Sequence, residues 1–310
     1  MSRIWESLYS KNGLAARYIA KELLDLEEGQ RIPRVSDFTE KLELGRGTVQ
    51  GAIKVLEDLH AIQLESRGHL GTFLRKRDVN LLYEIAGIGP IVGVMPLPYS
   101  RRYEGLATGL IEELQSLNIK VGLAYMRGAI PRIEALKSRR YDFSIMSLLA
   151  AEEAVERFEG LEIVRDFGEE SYVTSHKIFF SNEQFDSIKD GMRVGIDYSS
   201  VDQAEITLRE CKGKHVEFIE AGYMQLFSML KEGTIDAAVW NADEENTFRT
   251  FPSSDFTSKE ANELAAKATT AVVIVESMRN EIKERIQSIN VKNVMRTQRL
   301  VIEGKKYPHY

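Results

Sequence analysis

The sequence is poor in the residues that carry disulfides, metal sites and membrane spans. A single cysteine, Cys211, stands among 310 residues, which excludes a disulfide framework within the chain and fits a reducing compartment. A lone thiol is ordinarily a small buried hydrophobe. The longest stretch free of charge, IAGIGPIVGVMPLPYS at 85–100, is interrupted by glycine and proline and falls short of the ~20 apolar residues that a membrane helix needs. No membrane segment is expected. The opening stretch, MSRIWESLYSKNGLAARYIAKELLDLEEG, has no uninterrupted apolar core ahead of a small-residue cleavage site, so the cytoplasm is expected rather than export. His60, His69, His176, His215 and His309 stand apart from one another and offer no paired zinc spacing. GxSxG, Walker and GxGxxG elements are all missing. Neither an enzyme nor a cofactor or metal is expected.

What is present describes an ordinary globular chain, 43% hydrophobic and 28% charged, with nothing of the disordered or low-complexity classes. A length of 310 residues is long for one core, so two domains are expected. Charge is unevenly spread along it. Residues 1–77 hold 13 Lys+Arg against 11 Asp+Glu, which leaves 28 against 36 of the chain's 41 and 47. The first quarter is therefore +2 and the remainder -8, and if any part meets phosphate it is the first.

Leu14, Tyr18, Ile19, Leu23 and Leu26 recur at helical spacing, and Gly29 ends the run, giving a first helix over about 12–27. After a turn with Pro33, SDFTEKLEL reads as a short second helix with Ser36 or Asp37 near its start and Phe38, Leu42 and Leu44 turned inward. In the third, LELGRGTVQGAIKVLEDL at 42–59, Val49, Ala52, Ile53, Leu56 and Leu59 form one apolar stripe. That leaves Gly47 and Gly51 on the outer side, at a cost of roughly 0.5–1 kcal/mol each against alanine. Exposed glycines fit a helix whose backbone another surface, such as a phosphodiester strand, must approach closely. HAIQLESRGHLGTFLRKR then reads as a hairpin around SRGHLG. Helix, helix-turn-helix, hairpin is the order of a winged helix; a small helical cap with a hairpin is the plainer alternative.

RIPRVSDFTEKLELGRGTVQGAIKVLEDLHAIQLESRGHLGTFL resembles the DNA-binding domain of GntR-type transcription regulators over about 45 residues. Pro33 precedes the second helix, Arg46 stands as the recognition-helix arginine, Thr48 and Val49 as its TV pair, and Arg67, Gly68, His69, Gly71 and Thr72 follow the wing pattern with one insertion. The chain departs from the family where Gly45 replaces a serine and Ser36 an arginine, which alters two expected contacts and bears on the operator sequence. Physically, Arg46 at a helix start can fork onto guanine, Thr48 and Gln50 can meet base edges or phosphate, and Lys54 can reach the backbone. Arg67 and His69, beside Gly68, suit a minor groove or phosphates. With Gly47 these are the candidate DNA-binding residues. A homodimer on a two-fold site is expected.

From residue 90 onward the pattern changes to apolar strand-like runs, PIVGVMPLP, KVGLAYM, YDFSIMS, LEIVRDF, MRVGIDYS, HVEFIEA, IDAAVWN and TTAVVIV, with helical patterns between most of them. An α/β arrangement with mostly parallel sheets is expected. ALKSRRYDFSI at 135–145 echoes MLKEGTIDAAV at 229–239, placing Asp142 over Asp236 and pointing to two similar lobes. Those lobes, with SHKIFFSN crossing outward and TTAVVIV back, resemble the type 2 periplasmic-binding-protein fold over about 90–290. The whole chain is similar to YhfZ-like regulators. The resemblance implies an N-terminal winged helix-turn-helix (1–77), a linker (78–89) and a two-lobed α/β, periplasmic-binding-protein-like effector domain (90–310).

In such a fold, ligand groups come from loops at the carboxyl ends of strands. That rule selects Tyr99, Ser100 and Arg101 after the first strand, Arg127 after the second, Ser147 after the third, Tyr198, Ser199 and Ser200 at a helix start, and Asn241 after AAVW. Ser199 and Ser200 are read as anion-binding donors, with simple N-capping as the alternative. The arginines can pair a carboxylate or phosphate. The expectation is a transcription regulator that binds operator DNA and a small, anionic effector. The alternatives are a two-lobed α/β metabolite-processing enzyme or solute-binding protein whose N-terminal domain serves protein contact, and a plain interaction protein with a vestigial cleft.

Overall fold

The computed structural model describes residues 10–243 and 251–310, so residues 1–9 of the expected first domain lie outside the described residues. Two units divide the chain, Met1–Pro90 and Ile91–Tyr310.

In the first unit, α1 (Lys11–Leu24) starts where the Ser10 hydroxyl accepts a 3.0 Å hydrogen bond from the Gly13 N–H. Ala15, Ala16, Ile19, Ala20 and Leu23 are its buried face. Leu14, expected on that face, is 57% exposed, because it sits about 140° round the helix from Ile19 at 100° per residue. Helices α2 (Val35–Leu42) and α3 (Arg46–Asp58) follow. Phe38 from α2 and Val49, Ala52 and Leu56 from α3 are fully buried in the same core. Truncating Leu56 or Phe38 to alanine removes roughly 2–5 kcal/mol of such packing.

The two helix glycines separate here. A Cβ on Gly47 would meet nothing within 4 Å, whereas one on Gly51 would fall 2.7 Å from the Asn12 side-chain nitrogen. Gly51 therefore admits α1 against α3 and does not lie on a free outer face as expected. Strands β1 (Ile62–Ser66) and β2 (Thr72–Arg77) pair antiparallel from Ile62↔Arg77 to Ser66↔Thr72. Residues 29–32 run beside β2, with Ile32 N–H on the Thr72 carbonyl at 3.0 Å and Leu74 N–H on the Gln30 carbonyl at 2.9 Å.

Residues 78–89, expected as a linker, instead hold helix α4 (Val79–Ile85), capped by Asp78 accepting from the Leu81 N–H at 3.0 Å. Leu82 and Ile85 are fully buried in the first unit's core. Burying two such side chains is worth roughly 1.5–3 kcal/mol each, which ties the segment to that unit.

The second unit builds two lobes from the same plan. Lobe one runs β3 (Ile91–Met95), α5 (Arg101–Ser116), β4 (Val121–Tyr125), α6 (Ala129–Lys137), β5 (Phe143–Ser147), α7 (Leu148–Arg157) and β6 (Leu161–Asp166). The chain then passes to lobe two with β7 (His176–Phe180), β8 (Arg193–Ile196), α8 (Val201–Glu210), β9 (Glu217–Glu220), α9 (Leu226–Glu232), β10 (Ala237–Asn241), β11 (Ser253–Ser254) and α10 (Lys259–Lys267). It returns through β12 (Ala271–Glu276) to α11 (Asn280–Gln287) and α12 (Val291–Ile302).

The sheets are ordered β4-β3-β5-β12-β6 and β11-β7-β10-β8-β9. Each is mixed, not mostly parallel. The β4-β3-β5 and β9-β8-β10 triplets are parallel, while β12 and β7, the strands that follow each crossing, pair antiparallel with their neighbours.

The sequence echo marks one structural position twice. Asp142 exchanges backbone and side-chain bonds with Val92, N–H to the Val92 carbonyl at 2.7 Å and Oδ2 accepting from the Val92 N–H at 2.7 Å. Asp236 does the same with Arg193, at 2.8 Å in each direction. Each carboxylate thus fixes the register of the lobe's first and third parallel strands. No helix among the described residues is long and apolar enough to cross a membrane.

Candidate functional site

Two surfaces gather the residues singled out from the sequence. On the first unit, Arg46, Gly47, Gln50 and Lys54 are exposed along α3, and Thr48 is half-buried at its first turn. The cap residue is Gly45, which brings no side-chain oxygen to the helix start. Arg46 and Lys54 make no ion pair among the described residues. Beside them runs an open groove of about 810 Å³ between the start of α2, the exposed side of α3 and the hairpin.

At the hairpin tip, Gly68 and His69 are exposed in a short 3₁₀ turn (Gly68–Leu70). Arg67 is not a free cation: its Nε and Nη2 donate to the two oxygens of Glu65, both at 3.1 Å, and its guanidinium lies 4.5 Å over the Phe73 ring. Arg31 and Arg34, passed over in the sequence, also line the groove.

The second surface is a small cavity, about 80 Å³, between the lobes of the second unit. Of the nine expected ligand residues, Tyr99, Arg127, Ser199, Ser200 and Asn241 line it. The other four do other work or face elsewhere. Ser100 caps α5, and Arg101 is exposed and paired with Glu104 at 3.6 Å. Tyr198 is 48% exposed outside the lining. Ser147 caps α7 through the Ala150 N–H at 3.0 Å, and its hydroxyl donates to Asp202 Oδ1 of lobe two at 2.5 Å.

Ser199 and Ser200 line the cavity, but the Ser199 donors and the Ser200 N–H are already taken. The N–H and hydroxyl of Ser199 both donate to Asp197 Oδ1, at 2.9 and 2.6 Å, and the Ser200 N–H donates to the Asp197 carbonyl at 3.0 Å. The second Asp197 oxygen accepts from the Tyr223 N–H at 2.7 Å. Asn241 Nδ2 is likewise taken, by the Tyr223 hydroxyl at 2.9 Å, and the Tyr223 ring stacks on Trp240 at 3.7 Å.

The free charge comes from a residue the sequence did not flag. Arg132, from the interior of α6, is 3% exposed and lines the cavity. Its Nη1 donates to the Met126 carbonyl at 2.9 Å and its Nη2 to the Tyr172 hydroxyl at 3.4 Å, while Nε has no partner. No carboxylate among the described residues lies within ion-pairing distance of it. A buried cation without a counter-charge is costly.

Burial shifts the titration of the groups around it. Burial pushes the Asp202 carboxyl up to about 6, against the opposing pull of the Ser147 bond and of Arg132. Burial alone lowers His176 to about 4, and its Nδ1 is unpartnered. Tyr172 is raised to about 12, chiefly by burial, and Tyr103 is also raised by burial.

Further bonds tie the lobes. Arg102 on α5 reaches Thr174 at 2.7 Å and Asp243 at 3.5 Å, and Lys267 on α10 meets Glu152 on α7 at 2.7 Å. No cluster of three or more His, Cys, Asp or Glu among the described residues is placed to hold a metal ion. The lining thus sets the buried Arg132 among the rings of Tyr99, Tyr103, Tyr172 and Tyr223.

A helix-turn-helix unit joined to a two-sheet α/β unit of the periplasmic-binding-protein kind defines the class. Comparison with known proteins gives the same division: a family model described as a helix-turn-helix domain matches residues 27–74, and one described as the YhfZ C-terminal domain matches residues 78–310. The chain belongs to the YhfZ family. It is 31% identical over 301 residues to YhfZ of Escherichia coli (strain K12), covering 97% of this chain and 98% of that protein. The crystal structure of YhfZ from Shigella flexneri is similar with a TM-score of 0.62 and 29% identity, over 74% of this chain and 97% of that one. An ancestral arginine-binding protein bound to arginine is similar with a TM-score of 0.49 and 19% identity, over 70% and 96%.

Proposed function

We propose that this chain is a cytoplasmic, ligand-responsive transcription regulator of GntR-like DNA-binding mode, acting as a homodimer and not as an enzyme. The winged helix grips operator DNA, with Arg46 leading α3 into the major groove, Thr48 and Gln50 at base edges, Lys54 on phosphate and Gly68 and His69 at the flank. The effector is a small anion held in the interlobe cavity, with Tyr99, Arg127, Ser199, Ser200 and Asn241 around it.

One observation carries the reading. The chain holds two cationic features outside any ion pair among the described residues, the exposed Arg46 and Lys54 beside an open groove and the buried Arg132 in the interlobe cavity. The first suits a polyanion read from outside and the second a single anion taken inside. Effector binding controls DNA affinity to the extent that it prefers one lobe arrangement.

A mobility-shift experiment with the full chain and a library of genomic fragments tests the reading. Enrichment of particular fragments over bulk DNA is expected, and a panel of small carboxylates and phosphates added to the retained complex should include one that changes the affinity. Uniform, unselective retention ends the proposal for the first unit. A panel that leaves affinity untouched and gives no thermal stabilisation ends it for the second.

A further inference from the structure

We infer that Arg31 and Arg34 anchor the phosphate backbone of the bound duplex, in place of the wing arginine Arg67. The inference rests on the DNA-binding reading above and names where its backbone contacts fall.

The charge of the wing arginine is already spent. Arg67 and Glu65 form a two-pronged pair at 3.1 Å, which carries no net charge, so placing it against a phosphate releases little bound counterion. Arg31 and Arg34 differ. Both are exposed, and neither guanidinium has a hydrogen-bond or ion-pair partner among the described residues. Both line the same groove as Arg46 and Lys54, which concentrates four uncompensated cations around one channel.

Their positions are fixed by the backbone. Residue 31 bridges Phe73 of β2, so Arg31 rides on the sheet of the wing. Its side chain lies against the turn at Gly71, where φ is +99° and a Cβ would come within 2.6 Å of Arg31 Nε. Glycine there both permits the turn and leaves room for the guanidinium. Arg34 sits at the start of α2, and its N–H donates to Asp37 Oδ2 at 2.8 Å. Asp37 thus caps the helix through the backbone and leaves the Arg34 side chain free.

The two arginines reach the groove from outside α3, Arg31 beside β2 and Arg34 at the start of α2, and so are offered to a backbone strand while α3 enters the adjacent groove. Glu57 and Asp58, at the end of α3 away from Arg46, also line the groove and repel phosphate, which favours a strand held by the arginines. The change also accounts for the missing arginine at Ser36: cationic charge is supplied two and five residues earlier.

The test is the salt dependence of binding, using a short duplex recovered by the full chain from a random-sequence library. Each phosphate neutralised contributes about 0.9 to the slope of log affinity against log salt. Arg34→Ala and Arg31→Ala should each make the slope shallower by about that amount, and the double variant by about twice it. Arg31→Lys, which keeps charge and the backbone bridge, should restore the slope. Unchanged melting curves separate lost contact from lost fold. Variants that bind with the wild-type slope overturn the inference and leave the DNA-binding reading in place. A wild-type chain that recovers no duplex at all overturns that reading, and the inference with it.

Discussion

The Ser147 hydroxyl donates a 2.5 Å hydrogen bond to Asp202 Oδ1, joining the end of β5 in lobe one to the first turn of α8 in lobe two. Ser147 ends β5 and Asp202 lines the interlobe cavity, so the bond bridges the two lobes beside the site. Its strength depends on the protonation of a carboxyl that burial has lifted to about 6.

Two buried groups make the stability of the second unit depend on pH in opposite senses. Asp202 has a folded-state value of about 6 against 3.8, so the folded chain holds the extra proton and stability falls as pH rises from about 4 to 6. His176 has a folded-state value of about 4 against 6.5, so the unfolded chain holds the extra proton and stability rises over about pH 4 to 6.5. The two slopes offset in the wild type. Asp202→Asn should be more stable than wild type at pH 7, by up to about 3 kcal/mol, with the difference vanishing below pH 4. His176→Gln should show the reverse trend. Denaturant melts at several pH values decide it, and parallel profiles for all three proteins contradict the assignment.

Gly47 and Gly51 should respond differently to alanine. Gly47 is exposed and a Cβ there meets open space, so Gly47→Ala should stabilise the first unit by about 0.5–1 kcal/mol while weakening duplex binding. Gly51→Ala should be near neutral, because the helix gain is offset by displacing Asn12. Melting and affinity measured on the same preparations check this. A Gly47→Ala chain that gains stability and keeps full affinity would show that no backbone approaches that turn.

Freeing the wing arginine should strengthen binding. In Glu65→Gln, Arg67 loses its carboxylate partner, and duplex affinity at low salt should rise about threefold with a steeper salt slope, as one added phosphate contact requires. A titration at two salt concentrations is sufficient. No change would place the wing tip away from the duplex.

Removing the buried charge should separate folding from effector binding. Arg132→Met replaces an unpaired buried cation by an apolar chain of similar length, so stability should hold or rise by about 1 kcal/mol. Any carboxylate or phosphate that stabilises the wild type in a thermal-shift series should lose its effect. Retained stabilisation would put the anion elsewhere.

Much of this architecture can be read from the sequence, for identifiable reasons. AAVWN and the VVIV of β12 are short apolar runs bounded by polar residues, and both become buried strands. Asp142 and Asp236 are legible as an echo because each must clamp the same register in its lobe. The helix at 79–85 hides because its apolar residues adjoin the uncharged stretch that becomes β3. Ligand candidates at strand ends follow the topology rule, so Tyr99, Arg127 and Asn241 are found in the lining. Arg132, Tyr172 and His176 obey no such rule: one projects from mid-helix, Tyr172 belongs to the crossing between lobes and His176 opens β7 just after it, a path that only tertiary packing determines. The partners of Arg67 and Ser199 are equally invisible, since Glu65 and Asp197 lie two residues away in each case and bond only once the turn has formed.

The central claim is that the exposed face of α3 reads a duplex with Arg46 in front. Comparing wild type, Arg46→Lys and Arg46→Ala on one selected duplex and on scrambled DNA tests it most directly. The account predicts that Arg46→Ala loses about 1–3 kcal/mol of preference for the selected duplex, the value of a good two-pronged arginine–guanine contact. Arg46→Lys should recover only part of it, and all three melts should coincide. Equal preference in all three proteins would contradict the account.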